Sequence, residues 1–162
     1  MTVADIRAVG PGTWTGWKGQ LLRTLYHEAE PLIAGGATQV GFKQRAAAAE
    51  QTFRAALTGW SAPDVDRYIA RHYPDYWLKT ELRKQIEHAE LVRRTETAGE
   101  HFATDVRSDA FTAVTELSVL APNHPRLLAL FAGACAAAGA NIVGAYISTT
   151  RDGFALDTFL LQ

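Results

Sequence analysis

Thr115-Glu-Leu-Ser-Val-Leu-Ala-Pro-Asn-His-Pro-Arg-Leu-Leu128 is the stretch whose reading decides the fold of this chain. Residues Val114 to Ala121 interleave so that Leu117 and Val119 share one face of a strand, and Pro122, which has no N–H to give, ends the ladder. Leu127, Leu128, Phe131, Ala132, Cys135 and Ala138 then recur at helical spacing, and Gly139 stands where a left-handed cap stops a helix. Two further strands follow from Asn141 onward, split by the turn signal Thr149-Thr-Arg-Asp-Gly153. The order is βαββ.

Upstream the apolar period changes to that of helices. Residues 3 to 9 read as the tail of a helix with no start signal, closed by Gly10-Pro11-Gly12, so the chain is expected to be a piece of a longer protein. Thr13 caps a second helix with Trp14, Trp17, Leu21, Leu25, Ala29 and Leu32 on one stripe, and Pro31 ends or kinks it. A third helix carries Phe42, Ala46, Ala49, Phe53, Leu57 and Trp60 on one face. Ser61 with Asp64 caps a short fourth helix to about His72, with Pro63 near its first turn. A fifth is expected from Asp75 to about Thr97. It turns Leu78, Leu82, Ile86, Ala89 and Val92 inward and presents Lys79, Arg83, Lys84, Glu87, Glu90, Arg93 and Arg94 as a solvated face of mixed sign. Phe102 to Arg107 reads as an extra strand that pairs with the first βαββ strand across a turn at Ser108-Asp109.

With 162 residues, 48% of them hydrophobic, the chain can bury a core in one or two small domains. A net charge of −1 with interspersed signs offers no basic stripe to phosphate backbones or anionic lipid, so neither nucleic acid nor membrane is an expected partner. No apolar run approaches the ~20 residues of a membrane helix, and Met1-Thr-Val-Ala-Asp5 has no signal-peptide character. A cytoplasmic protein is expected. Cys135 among alanines reads as a small packed thiol. His27, His72, His88 and His101 show no metal spacing; at Tyr26-His27-Glu28, the nearest approach, a solvated helical histidine is expected. Trp14, Trp17, Trp60 and Trp77 lie beside apolar faces and read as core.

The βαββ unit resembles the ACT domain, whose full pattern is βαββαβ and whose usual work is to bind a free amino acid and regulate an attached enzyme. Gly139-Ala-Asn-Ile-Val143, Thr149-Thr-Arg-Asp-Gly153 and Ala155-Leu-Asp-Thr-Phe159 resemble the first ACT domain of the bifunctional uridylyltransferase/uridylyl-removing enzymes, which modify the nitrogen-signalling protein PII. At the other end, Val3-Ala-Asp-Ile-Arg-Ala-Val-Gly-Pro-Gly12, with Trp14, Trp17-Lys18 and Gln20-Leu-Leu-Arg23, resembles the place where the HD hydrolase domain of the same family ends. The resemblance implies an α+β fold, with an N-terminal helical region followed by an incomplete ferredoxin-like sheet. Residues 1–12 would end the HD domain, 13–99 would form a helical connector, and 100–162 would be an ACT domain lacking its second helix and last strand. An apolar surface from Leu117, Val119, Ile142, Ile147, Leu156 and Phe159, with unpaired strand edges, is then expected to drive self-association or to be covered by the chain's own helices.

By the same resemblance Asp5 matches the later aspartate of the HD metal site, whose other ligands would lie upstream. A lone carboxylate does not hold a catalytic metal, so Asp5 reads as a helix-end carboxylate here and no cofactor is expected; magnesium or manganese belongs to the parent family. The candidate ligand loop is Asn123-His124-Pro125-Arg126 with Leu127. It ends a strand and opens a helix, where free N–H groups and the positive dipole end suit the carboxylate of an amino acid. Asn141, beside Ile142 at the start of the next strand, offers an amide to an ammonium or a polar side chain. ACT domains usually show Asp and Gly where this chain has Asn123 and Arg126, and Arg126 either crowds the pocket or grips a carboxylate bidentately. Plain helix capping is the alternative role of the loop.

The implied function is regulatory: the ACT region senses glutamine and controls UMP transfer from UTP to PII and its hydrolytic removal. Neither activity is expected of these residues alone, which lack the transferase Gly-Ser and paired-aspartate motif and most HD ligands. The rival reading is an amino-acid-sensing helical interaction module of another regulator.

Overall fold

The structure, a computed structural model, describes residues 25, 26, 29, 38–109 and 114–162, and the chain divides into two units, 1–44 and 45–162. Leu25, Tyr26 and Ala29 of the first unit are helical, whereas Asp5, Trp14, Trp17 and His27 lie outside the described residues. Helix α1 (Thr38–Ala56) leads into the second unit and is followed by α2 (Ala62–Arg71), α3 (Pro74–Lys79) and α4 (Leu82–Thr97). The Ser61 hydroxyl accepts from the Asp64 N–H at 3.3 Å, which fixes the start of α2 where the cap signal places it. The expected single helix from Asp75 to Thr97 is instead two. Thr80 and Glu81 are extended, which turns the axis and leaves Leu78 and Leu82 each 37% exposed. Gln85 holds the break by donating its side-chain amide to the Trp77 carbonyl at 3.2 Å and the Thr80 carbonyl at 2.6 Å. Apolar spacing carries the phase of a helix but not a change in its axis.

The sheet comprises β1 (Ala103–Asp109), β2 (Val114–Pro122), β3 (Ile142–Tyr146) and β4 (Phe154–Leu161), with α5 (Leu127–Ala137) crossing from β2 to β3. The strand order is β1-β2-β4-β3 and every pairing is antiparallel. In a ferredoxin-like sheet the last strand lies beside the first. Here that place beside β2 is filled by β1, the extra strand read from Phe102 to Arg107. Its ladder runs on to Asp109↔Val114, so Ser108 and Asp109 belong to the strand and not to a turn. At the end of α5 Gly139 takes φ 76°, and the Gly139 and Ala140 N–H groups return to the carbonyls of Ala136 and Cys135 at 3.1 and 2.9 Å. Cys135 is buried.

Both faces of the sheet are covered. Ala103, Leu120, Phe154 and Leu156 pack against Phe53, Tyr68, Trp77, Ala89, Leu91 and Val92 of the helical connector. Val119, Ala121 and Phe159 pack on the other face beneath Leu127 and Phe131 of α5. The chain's own helices thus cover most of the expected apolar surface, the second of the two expected outcomes: Val119, Leu156 and Phe159 are 1%, 0% and 1% exposed, and only Ile147 of the named set stands out, at 54%. Each such fully buried side chain contributes about 1.5–3 kcal/mol, Leu156 to the core between the sheet and helices α1–α4, and Val119 and Phe159 to the core beneath α5.

Candidate functional site

The junction between β2 and α5 is built by backbone bonds. The Asn123 N–H donates to the Gly153 carbonyl at 2.8 Å, the Leu127 N–H to the His124 carbonyl at 2.9 Å, and the Arg126 N–H to His124 Nδ1 at 3.2 Å. Asn123 to Arg126 are exposed, and Arg126 opens α5 with no side-chain cap. Arg126 makes no ion pair among the described residues. The loop thus offers a guanidinium beside the positive end of an eleven-residue helix, a combination that suits a carboxylate.

Asn141 and Ile142 are elsewhere. The Asn141 N–H donates to the Gln162 carbonyl at 2.8 Å and Ile142 pairs with Leu161, whereas Asn123 bonds to Gly153. Gly153 and Gln162 flank opposite ends of β4, so one copy of the chain does not bring Asn141 to the loop. The crossover helix explains this, because it carries the chain back along the full length of the sheet before β3 begins.

Sequence reasoning missed a polar chain through the core. The Tyr68 and Tyr76 hydroxyls lie 3.2 Å apart, Tyr76 Oη lies 3.1 Å from His88 Nδ1, His88 Nε2 lies 3.0 Å from Thr158 Oγ1, and Thr158 Oγ1 lies 3.1 Å from Ser118 Oγ. His72 stacks on Tyr76 with ring centroids 3.8 Å apart. Burial, reinforced by the neighbouring His88 and Arg71, pushes the His72 imidazole down to about 3. Burial and the Lys84 ammonium bring His88 down to about 3. Both rings are therefore neutral at pH 7. Burial holds the Tyr68 and Tyr76 hydroxyls well above their ordinary value.

The charged face of α4 is not simply solvated. Lys84 is 8% exposed and pairs with Glu87 at 2.6 Å and with Glu116 of β2. Arg83 reaches Glu87 at 2.7 Å and Glu116 at 3.1 Å, and Arg107 of β1 joins Glu87 at 3.1 Å. Burial raises the Glu116 carboxyl, but its bonds to Lys84 and Arg83 outweigh that and hold it below the usual range. Alternation in β1 and β2 places Arg107 and Glu116 opposite each other on the connector side. That signal was available in the sequence once the strand register was known.

The turn between β3 and β4 grips the end of α2. The Arg151 N–H donates to the Arg71 carbonyl at 2.8 Å, Arg151 Nε to the His72 carbonyl at 3.2 Å, and the Arg151 guanidinium lies 4.4 Å from the centre of the Tyr73 ring. Arg71 Nε pairs with Asp152 at 2.8 Å, and Arg71 also pairs with Glu96 of α4. Among the described residues no group of three His, Cys, Asp or Glu side chains converges to hold a metal ion, and no helix is long and apolar enough to cross a membrane.

Strand order, crossover helix and loop define an α+β chain with a ferredoxin-like, ACT-type arrangement. No family model and no solved structure matches it. Over all 162 residues it is 56% identical to the bifunctional uridylyltransferase/uridylyl-removing enzyme of Nitrobacter winogradskyi, 56% to that of Rhodopseudomonas palustris and 55% to that of Nitrobacter hamburgensis. Along its whole length the chain is homologous to one segment of bifunctional uridylyltransferase/uridylyl-removing enzymes, and it spans 17–18% of the length of these relatives.

Proposed function

We propose that the chain is the regulatory segment of such an enzyme. The loop Asn123–Leu127 receives a free amino acid, glutamine by resemblance, and its occupancy sets the balance between UMP transfer from UTP to PII and removal of the UMP by hydrolysis. Magnesium or manganese would serve the catalytic parts of the whole protein, with Asp5 as one HD-type ligand. The observation that carries the reading is the exposed start of α5, where Arg126 provides no side-chain cap and has no carboxylate partner among the described residues. An α-carboxylate answers both the guanidinium and the helix end.

Self-association completes the site in this reading. β3 is an edge strand. Antiparallel pairing of β3 with β3 of a second copy sets the second copy's Asn141 against the Tyr146 end of the first, which is the end where the loop lies. Loop and amide then face one ligand from two copies. Calorimetry with glutamine, alongside sedimentation of the same samples, tests this. Asn141→Ala is expected to weaken binding about ten- to a hundredfold, the loss of one charge-assisted hydrogen bond. No heat at millimolar glutamine, with the chain folded, contradicts the reading.

A further inference from the structure

Asn123 begins the ligand loop, and its N–H bonds directly to Gly153 in the turn between β3 and β4. Through Arg151 and Asp152 that turn holds Arg71, the last residue of α2. We propose that this clasp of Arg71 with Arg151 and Asp152 passes the state of the loop to the helical connector. Its use in regulation rests on the reading of Asn123–Leu127 as a ligand loop, while the coupling itself does not. Arg71 is shared between Asp152 on the sheet side and Glu96 on α4, so a single guanidinium has two partners on two elements. The Arg71 side chain is 13% exposed, whereas Glu96 and Asp152 are 49% and 41% exposed, so the cation is held and the anions are free to leave it. A cavity of about 270 Å³ bordered by Arg71, Glu96, Leu120 and Phe154 gives the guanidinium room to change partner. Ion pairs at the solvent boundary are individually weak, so a displaced Gly153 carbonyl suffices to redistribute Arg71 between Asp152 and Glu96. The packed layers beneath, with Leu156 wholly buried, do not deform in that way.

Amide hydrogen exchange without any ligand tests the coupling from both ends. Asn123→Pro deletes the N–H bonded to Gly153, and the Arg151 amide, bonded to Arg71, is expected to exchange at least about tenfold faster. The Leu156 amide, bonded to the Ser148 carbonyl at 2.8 Å, serves as the control and is expected to be unchanged. Arg151→Ala removes the guanidinium contacts to His72 and Tyr73 from the exposed side, and by reciprocity the Asn123 amide is expected to accelerate about tenfold. Should the proline variant also loosen Leu156, the Arg151 variant decides alone. An Asn123 amide unmoved by Arg151→Ala overturns the clasp, even where glutamine binds. Acceleration in a chain that ignores glutamine sustains the clasp and defeats the ligand reading instead.

Discussion

His88 Nε2 lies 3.0 Å from Thr158 Oγ1, and this contact ties the middle of α4 to the middle of β4. Thr158 is wholly buried and also meets Ser118, so its hydroxyl serves both sides of the interface between connector and sheet.

Thr158→Val keeps the shape and deletes the hydroxyl, leaving His88 Nε2 and Ser118 Oγ without that partner in the core. Destabilisation of about 1–3 kcal/mol is expected in urea unfolding, with the slope of the transition unchanged. A neutral result would mean that water or Ser118 satisfies His88 in its place.

Acid should unfold this chain early. His72 and His88 sit near 3 when folded and return to about 6.5 when unfolded, so between these values the unfolded chain takes up protons that the folded chain refuses. Above pH 6.5 the two contribute no pH dependence. As pH falls below 6.5, stability is expected to drop by about 1.4 kcal/mol per pH unit for each histidine. Glu116 adds a loss of the same sign below its ordinary 4.5, because its folded value is depressed. Thermal unfolding from pH 8 to 4 measures the slope, and His88→Asn is expected to flatten it.

Glu116→Gln removes the strand-side anion of the α4 network and leaves Lys84, 8% exposed, to Glu87 alone. The expected cost lies between the ~1 kcal/mol of an exposed pair and the ~3–5 kcal/mol of a broken buried one, and salt should shrink it. Urea titrations at low and high ionic strength check both statements.

The βαββ order, the cap at Ser61, the left-handed Gly139 and the extra strand were legible because each rests on local chemistry: alternation, a hydroxyl acceptor, or a missing Cβ. The break at Thr80-Glu81 was not. It depends on Gln85 reaching back to two carbonyls, which no window of apolar spacing reports. For Leu156 the sequence left two outcomes open, a partner chain or the chain's own helices, since the phase of a strand shows which face is apolar but not what lies upon it. Of the candidate site, Asn123 to Arg126 lie between β2 and α5, and Leu127 is the first residue of α5. Asn141 was grouped with them by residue type, and the register separates them.

UMP transfer from labelled UTP to PII, and release of UMP from modified PII, are both expected to stay at the no-enzyme level with this chain alone. Its sequence lacks the transferase motif and most HD ligands. Turnover in either assay would contradict its assignment to a regulatory segment.

The most direct test of the central claim is a glutamine titration followed through the backbone amides of the loop. Saturable shifts at Asn123, His124, Arg126 and Leu127, reduced by Arg126→Ala and absent with an uncharged glutamine analogue lacking the α-carboxylate, are the expected result. Unmoved loop amides at millimolar glutamine, in a sample whose Leu156 amide remains protected, would contradict it.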